Sequence, residues 1–402
     1  MEKFSVIIIG GGASGIDLAT LFVQSGFKDF CIVEKSDRIG KKLIATGNGQ
    51  GNLTNKNVSD KKYFSGVKDF CSYAVNRFGF NKIVSFYSLT GIILTEGEEG
   101  RFYPESKQAS SVLDVIRAFL IYNAVNIKTG FEVNSVKKKN GLFEVTSSSG
   151  EKLYAERVVF AFGGSSGRQF GTDGSAYKLA VSQGHRCTET YPSLVQLKTE
   201  TDKIRSLKGL KADVKITAFS DGKFVGRADG EILFTDYGVS GNSVFKISAY
   251  TAGKPDVELN IEFLPEITEK ELENLIAARL EKMPYIEKKD VFIGLVNKMI
   301  GRALVGTARS DDAKDLSKAA KNFRLKVTGD LGFNYSQVTR GGICVKDVDE
   351  KTYESKIIRG VYIIGEALDV DGECGGYNLH FAFASAACAA EAITGKELDF
   401  LR

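Results

Sequence analysis

Gly10, Gly12 and Gly15 stand in a Gly-x-Gly-x-x-Gly spacing directly after the apolar run Ser5–Ile9, and Glu34 closes a second apolar run, Phe30–Val33. This order of residue types suits one task, the grip of a dinucleotide. Gly10 permits a tight turn, Gly12 lets the backbone approach a pyrophosphate, and Gly15 lets the next helix pack on the strand. Ala13 and Ser14 complete the loop, so that a helix N-terminus faces the negative charge. The Glu34 carboxylate would accept hydrogen bonds from ribose hydroxyls. An acid there disfavours a 2′-phosphate, so FAD or NAD fits better than NADP.

A second constellation lies near the end of the chain. Gly365 and Glu366 follow the apolar run Val361–Ile364, and Gly375-Gly376-Tyr377-Asn378 open an Ala-rich stretch with helical character. Glu366 and Asp371 are the acids available to ribitol hydroxyls. Free amides at the start of that helix can stabilise negative charge at the N1/O2 edge of a flavin. Cys374, beside the glycine pair, is a candidate redox partner of the flavin, because a helix start stabilises a thiolate. His380, in the first turn of the same helix, is a candidate proton donor. The plainer alternatives are a small filler residue and a hydrogen-bonded packing residue. Asp369-Val370-Asp371-Gly372 lacks the remaining ligands of a calcium loop.

The elements that must position these residues follow from the pattern. Ser5–Ile9, a helix carrying Ile16, Ala19, Phe22 and Val23 on one face, and Phe30–Val33 form a βαβ unit with buried, non-alternating strands. A Gly/Asn-rich loop spans Ile39–Asn55, and the spacing predicts a helix over Ser111–Ala124. Glu132–Val136, Leu142–Thr146 and Lys152–Ala155 read as a meander, with Asn140-Gly141 as a two-residue hairpin turn. Val158–Phe162 reads as a further strand, ending at Gly163-Gly164. This meander and the late strand match the flavoprotein arrangement of the glutathione-reductase type, which favours FAD over NAD. Alternating strands over Val214–Phe219, Lys223–Arg227, Glu231–Phe234 and Val257–Phe263 predict a β-rich insertion, and Thr268-x-x-Glu271 is a capping box that opens a helical segment. Residues 1–190 and 329–402 are thus expected to form a discontinuous FAD-binding domain of α/β Rossmann-like class. Residues 191–266 are expected to form a β-barrel-like domain and residues 267–328 a helical one.

Composition bounds the reading. With 54 Lys+Arg against 50 Asp+Glu, the net charge of +4 is too small to argue for nucleic acid. No apolar run reaches the roughly 18 residues of a membrane helix, and the N-terminus shows no signal-peptide pattern. The six Cys never form C-x-x-C, and two His leave little for a metal centre. The expected compartment is the cytoplasm. His185, after Gly184 at a helix end, reads as structural, and Lys137-Lys138-Lys139 as a solvated hairpin end.

Four stretches carry a resemblance. They are Lys41–Gly49 with Asn52–Asn55, Gly230–Gly241, Val338–Gly342, and Gly365–Gly372 through Leu379. Together they resemble the BaiN/RdsA-type (aminoacetone-oxidase-like) NAD(P)/FAD-dependent flavoproteins over essentially the whole chain. The resemblance implies that these stretches surround FAD and that the insertion roofs the flavin face. Lys35, Lys42, Thr46, Gly47, Asn48, Asn52 and Val133 thereby join Gly163, Gly164, Gly365, Gly375, Gly376, Tyr377, Asn378 and Leu379 as cofactor-binding candidates. Tyr237 becomes a candidate phenol aimed at the flavin, and Asp236 a base or a partner for a cationic amine. The chain departs from the family where Asn-Gly-Arg-Cys-Asn is Asn48-Gly49-Gln50-Gly51-Asn52, and at Asp236, Asn242 and His380-Phe381, where His, Pro and Gln-Trp are usual. The function implied is NAD(P)H-driven, FAD-dependent reduction of an activated C=C or similar acceptor on a small molecule. Alternatives are an aminoketone or amine oxidase using O2, an rRNA uridine reductase (dihydrouridine synthase) with RNA as partner, and a non-catalytic flavin-binding role.

Overall fold

The computed structural model describes residues 2–401. They divide into two compact units, residues 2–191 with 337–401, and Pro192–Ser336.

The first unit is built on a seven-stranded sheet. Phe30–Glu34 and Lys152–Phe160 flank the strand Glu2–Ile9 in parallel, and Asn126–Thr129 extends the sheet beyond Phe30–Glu34. Val6, Ile7 and Ile8 have no exposed surface, which is why their run does not alternate with polar residues. Lys152–Phe160 is one strand where the sequence reading has two. Its first half pairs antiparallel with Leu142–Ser147, and its second half pairs parallel with Val361–Ile363. The change of partner, not a break in the chain, accounts for the polar Glu156-Arg157 in its middle. Asn140 and Gly141, at φ +49° and +83°, make the expected hairpin turn. The helix Ala13–Gln24 packs against the last helix, Tyr377–Thr394. The alanines of the last helix, buried from Ala382 to Ala390, permit that close approach.

The second unit is a closed barrel in the order Leu197–Thr199, Gly238–Ser240, Lys223–Phe234, Lys211–Ser220, Val257–Phe263, Phe323–Asp330. The expected strands Lys223–Arg227 and Glu231–Phe234 are one strand, whose pairing with Lys211–Ser220 runs in unbroken register from Gly226 to Leu233. The capping box is present: Glu271 N donates to Thr268 Oγ1 at 3.3 Å, and Thr268 N donates to Glu271 Oε2 at 2.9 Å. The helical segment does not form a domain of its own. Leu272, Ile276 and Leu316 share one core with Val214, Ile216 and Leu259, and Phe323–Asp330 returns to close the barrel. Helix Asn242–Thr251 is not foreseen by the sequence pattern, whereas Lys298–Thr307 falls within the segment expected to be helical. Among the described residues no helix is long and apolar enough to cross a membrane. The α/β Rossmann-like class with an inserted barrel is borne out.

Candidate functional site

The three glycines of the first loop have different surroundings. A Cβ on Gly10, at φ +111°, would stand 2.5 Å from Ala161 O, and one on Gly15 would stand 2.0 Å from Gly10 O. These two are consumed by packing within the chain. Gly12 is not: a Cβ there would meet only Ala161 O, at 4.0 Å. Its backbone, at φ −81° and ψ −168°, is also open to any L-residue. Gly12 opens the helix Ala13–Gln24 with no side chain capping it, so the first amides of that helix are left for a ligand.

Glu34 is held rigidly beside this loop. Its Oε2 accepts from Gly11 N and its Oε1 from Ser36 N, both at 2.8 Å. A carboxylate can accept about four hydrogen bonds, so lone pairs remain for ribose hydroxyls. Val133 is half-buried at the start of a hairpin strand, two residues beyond Phe131, whose N–H donates to Glu34 O. Lys35 turns instead to Asp173, at 3.2 Å.

The C-terminal constellation reaches the same loop. A Cβ on Gly365, at φ +65°, would stand 2.6 Å from Ser14 Oγ, so the late segment lies directly on the first turn of Ala13–Gln24. Lys42 Nζ pairs with both oxygens of Glu366, and Glu366 Oε1 also accepts Thr339 N at 3.0 Å. Thr339 was not singled out by sequence reasoning as a site residue. Its buried Oγ1 accepts Ser165 N at 2.8 Å and Ser166 N at 3.0 Å, which pins the loop that begins at Gly163 and Gly164. The only signal for it was the Val338–Gly342 stretch.

The Gly/Asn-rich loop takes left-handed backbone at Gly47, Asn48, Gly49 and Gly51. Thr46 stabilises it by donating Oγ1 to Leu43 O at 2.7 Å and by accepting Gly51 N on its carbonyl at 2.9 Å. At Gly51, φ is +76° and a Cβ would stand 3.1 Å from Ala109 Cα, so a thiol side chain here would be strained. Farther on, Asn52 accepts Gly376 N at 3.1 Å and donates to Thr54 O at 3.2 Å, in the amide orientation that satisfies both. Asn55 Nδ2 donates to Gly375 O at 3.0 Å. Asn378 bonds both the N–H and the carbonyl of Gly372. Tyr377 is buried, which pushes its phenol up to about 12, and Leu379 is half-buried beside it. No side chain caps the last helix.

Several candidates are engaged elsewhere. Asp371 is buried and ion-paired with Arg340, whose Nη2 lies 3.0 Å from Asp371 Oδ2 and whose guanidinium stacks 4.2 Å from the Phe64 ring centroid. That pairing competes with the expected role of Asp371 toward ribitol. His380 has no exposed surface, and burial pushes its pKa down to about 4, against a smaller opposing pull from the Phe78 backbone. A sealed, neutral imidazole is not a proton donor to substrate, so the catalytic reading of His380 gives way to a structural one. Its Nδ1 bonds Thr54 Oγ1 at 2.8 Å. His185 is buried between Ala180 O at 3.0 Å and Ser355 Oγ at 2.8 Å. Cys374 is partly exposed in the turn before Gly375. In the second unit, Tyr237 is half-buried in the turn before Gly238, and Asp236 is exposed and paired with Lys208 at 2.8 Å.

Fold and loop geometry define a dinucleotide-binding Rossmann protein with an inserted barrel. The chain belongs to the family described as HI0933-like protein Rossmann domain, which matches residues 4–392. It is 35% identical over 402 residues to a 3-dehydro-bile acid delta(4,6)-reductase of Clostridium scindens, covering 96% of this chain and 98% of that protein. It is 28% identical over 410 residues to the ribosomal RNA dihydrouridine synthase of Escherichia coli, covering 98% of this chain and all of that protein. Among solved structures, the open conformation of a flavocytochrome c3 fumarate reductase shares the fold, with a TM-score of 0.50 and 12% identity over 99% of this chain and 79% of that one. The family expected from the sequence motifs is thus borne out.

Proposed function

We propose that this chain is an FAD-dependent oxidoreductase that reduces an activated C=C of a small molecule, with NAD(P)H as electron donor. The likeness across nearly the full length to a protein named as a reductase carries this reading. The glycine loop fits the cofactor, since Gly12 alone of the three has space that the chain does not fill. Bound FAD supplies a two-electron carrier that can pass hydride equivalents between a nicotinamide and an organic acceptor.

The chain's own residues do the holding. The loop Gly10–Gly15 and Glu34 take the ADP half, and Gly163, Gly164, Gly365 and Glu366, with Lys42, take the ribityl half. The amides at Tyr377–Leu379, which no side chain caps, would hold the flavin's electron-rich edge. Within the first unit, Cys374 is the residue we assign to substrate handling. All six cysteines are free thiols, in keeping with a cytoplasmic protein.

The test is anaerobic mixing of the purified holoprotein with NADH and with NADPH. Bleaching of the oxidised flavin band by either one is expected, and its absence with both would sink the donor assignment. A second reading, rRNA uridine reduction, draws on the 28% identity to a ribosomal RNA dihydrouridine synthase. Unchanged dihydrouridine in the rRNA of a deletion strain excludes it. An amine oxidase is less well supported, because the carboxylate that would meet a substrate ammonium, Asp236, is already matched by Lys208.

A further inference from the structure

We propose that His380 is a positioning residue for the cofactor cradle: through Thr54 and Asn52 it fixes the turn Gly375–Gly376 from which the last helix starts. This rests on the reading that FAD binds at that turn. His380 and Thr54 lie 326 positions apart, neither has exposed surface, and they meet through Nδ1 and Oγ1 at 2.8 Å. A buried imidazole and a buried hydroxyl are each costly unless paired, so this bond fixes the two segments relative to one another.

From Thr54 the contacts return to the helix. The Thr54 carbonyl accepts the Asn52 amide at 3.2 Å, and the Asn52 oxygen accepts Gly376 N at 3.1 Å. His380 N donates to Gly376 O at 3.1 Å, which closes a ring of contacts around the first helical turn. There is no slack in it: a Cβ on Gly376 would stand 2.5 Å from Thr54 O. Gly375 and Gly376 have φ of +138° and +94°, backbone that cannot hold itself by side-chain sterics. Contacts from the segment Asn52–Asn55 hold it instead, and His380 anchors that segment from within the helix. The direction of the Tyr377–Leu379 amides therefore depends on a residue that need never touch the cofactor.

The experiment uses full-length protein. FAD is removed, the dissociation constant is measured on rebinding, and the visible spectrum and midpoint potential of the reconstituted flavin are recorded. Thr54→Val keeps shape and loses the hydroxyl. His380→Phe keeps a ring and loses the nitrogen that bonds Thr54 Oγ1. His380→Asn keeps a polar atom at the place of Nδ1. Expected are a weakening of FAD binding of about tenfold for Thr54→Val and for His380→Phe, with a shifted spectrum and potential, no further loss in the double variant, and recovery to within about threefold for His380→Asn. Wild-type affinity, spectrum and potential in both Thr54→Val and His380→Phe would overturn the proposal, even where the apoprotein melts lower, because packing alone would then explain the residue. If His380→Phe fails to fold, Thr54→Val carries the test. A wild-type protein that takes up no FAD would refute the cofactor reading itself, a result visible before any variant is made.

Discussion

Lys42 and Glu366, 324 positions apart, form a two-point ion pair with Nζ 2.8 Å from Oε2 and 3.1 Å from Oε1. Each side chain is more than three-quarters buried, at 23% and 22% exposed, so neither charge is well solvated on its own. Glu366 also receives the Thr339 N–H, so one carboxylate ties three segments together. Removing one member of such a pair costs more than the pair contributes, because the other charge stays behind. Glu366→Ala should destabilise the apoprotein by about 2–3 kcal/mol and weaken FAD binding. Urea denaturation and FAD titration check this, and a change within about 0.5 kcal/mol would show the pair to be ornamental.

The glycine loop separates folding from binding. Gly15→Ala would set a Cβ 2.0 Å from a backbone oxygen and should unfold or severely destabilise the protein. Gly12→Ala meets no chain atom closer than 4.0 Å and sits at backbone angles that alanine accepts. It should leave the apoprotein's stability unchanged or slightly raised while lowering FAD affinity by tenfold or more, an order-of-magnitude expectation for a blocked phosphate approach. Paired melting curves and FAD titrations distinguish the two. Equal FAD affinity in Gly12→Ala and wild type would mean that the cofactor lies elsewhere.

This contrast also shows what the sequence could convey. The loop was legible because strand, glycine spacing and Glu34 lie within one βαβ unit and each follows from local geometry. The helix Tyr377–Thr394 was equally legible, with its bounds set by Gly376 and Gly395. His380 was misjudged because periodicity places a residue in a helical turn but does not say which neighbour seals that turn from water. Asp371 was read as a ribitol ligand because the pairing with Arg340 links two segments that no local pattern connects. The helical segment is set apart from the barrel for the same reason: Phe323–Asp330, mostly inside the residues 267–328 expected to be helical, shows itself as a barrel strand only through its partners Val257–Phe263 and Leu197–Thr199.

Thr339 offers a test of a residue that sequence motifs barely marked. Its Oγ1 accepts two backbone amides, Ser165 N and Ser166 N, and lies 3.0 Å from Ser166 Oγ, all fully or nearly buried. Thr339→Val keeps the volume and strands both amides away from water. Unsatisfied buried donors cost roughly 1–3 kcal/mol each, so a loss of at least about 2 kcal/mol is expected in chemical denaturation. Thr339→Ser should restore most of it. A Thr339→Val protein as stable as Thr339→Ser would mean that water or another oxygen takes over the two amides.

The buried His380 also gives the protein an acid-side weakness. Its pKa falls from the ordinary 6.5 to about 4 because burial disfavours the charged ring. The unfolded chain therefore binds a proton that the folded chain refuses whenever the pH lies between those values, and stability falls as the pH drops through that window. From about pH 7.5 to about pH 5 this group alone should cost about 2 kcal/mol. His185, also buried and shifted down, acts in the same sense. Asp17, buried in the helix Ala13–Gln24 and shifted up by that burial, acts in the opposite sense, since the folded chain holds its proton more tightly than the unfolded one. The contribution of His380 is therefore read as a difference. Wild type and His380→Phe are each unfolded in urea at the two pH values, and the loss on acidification should be smaller by about 2 kcal/mol in the variant. Equal losses in both proteins would show that the imidazole is protonated in the folded state and has a route to water.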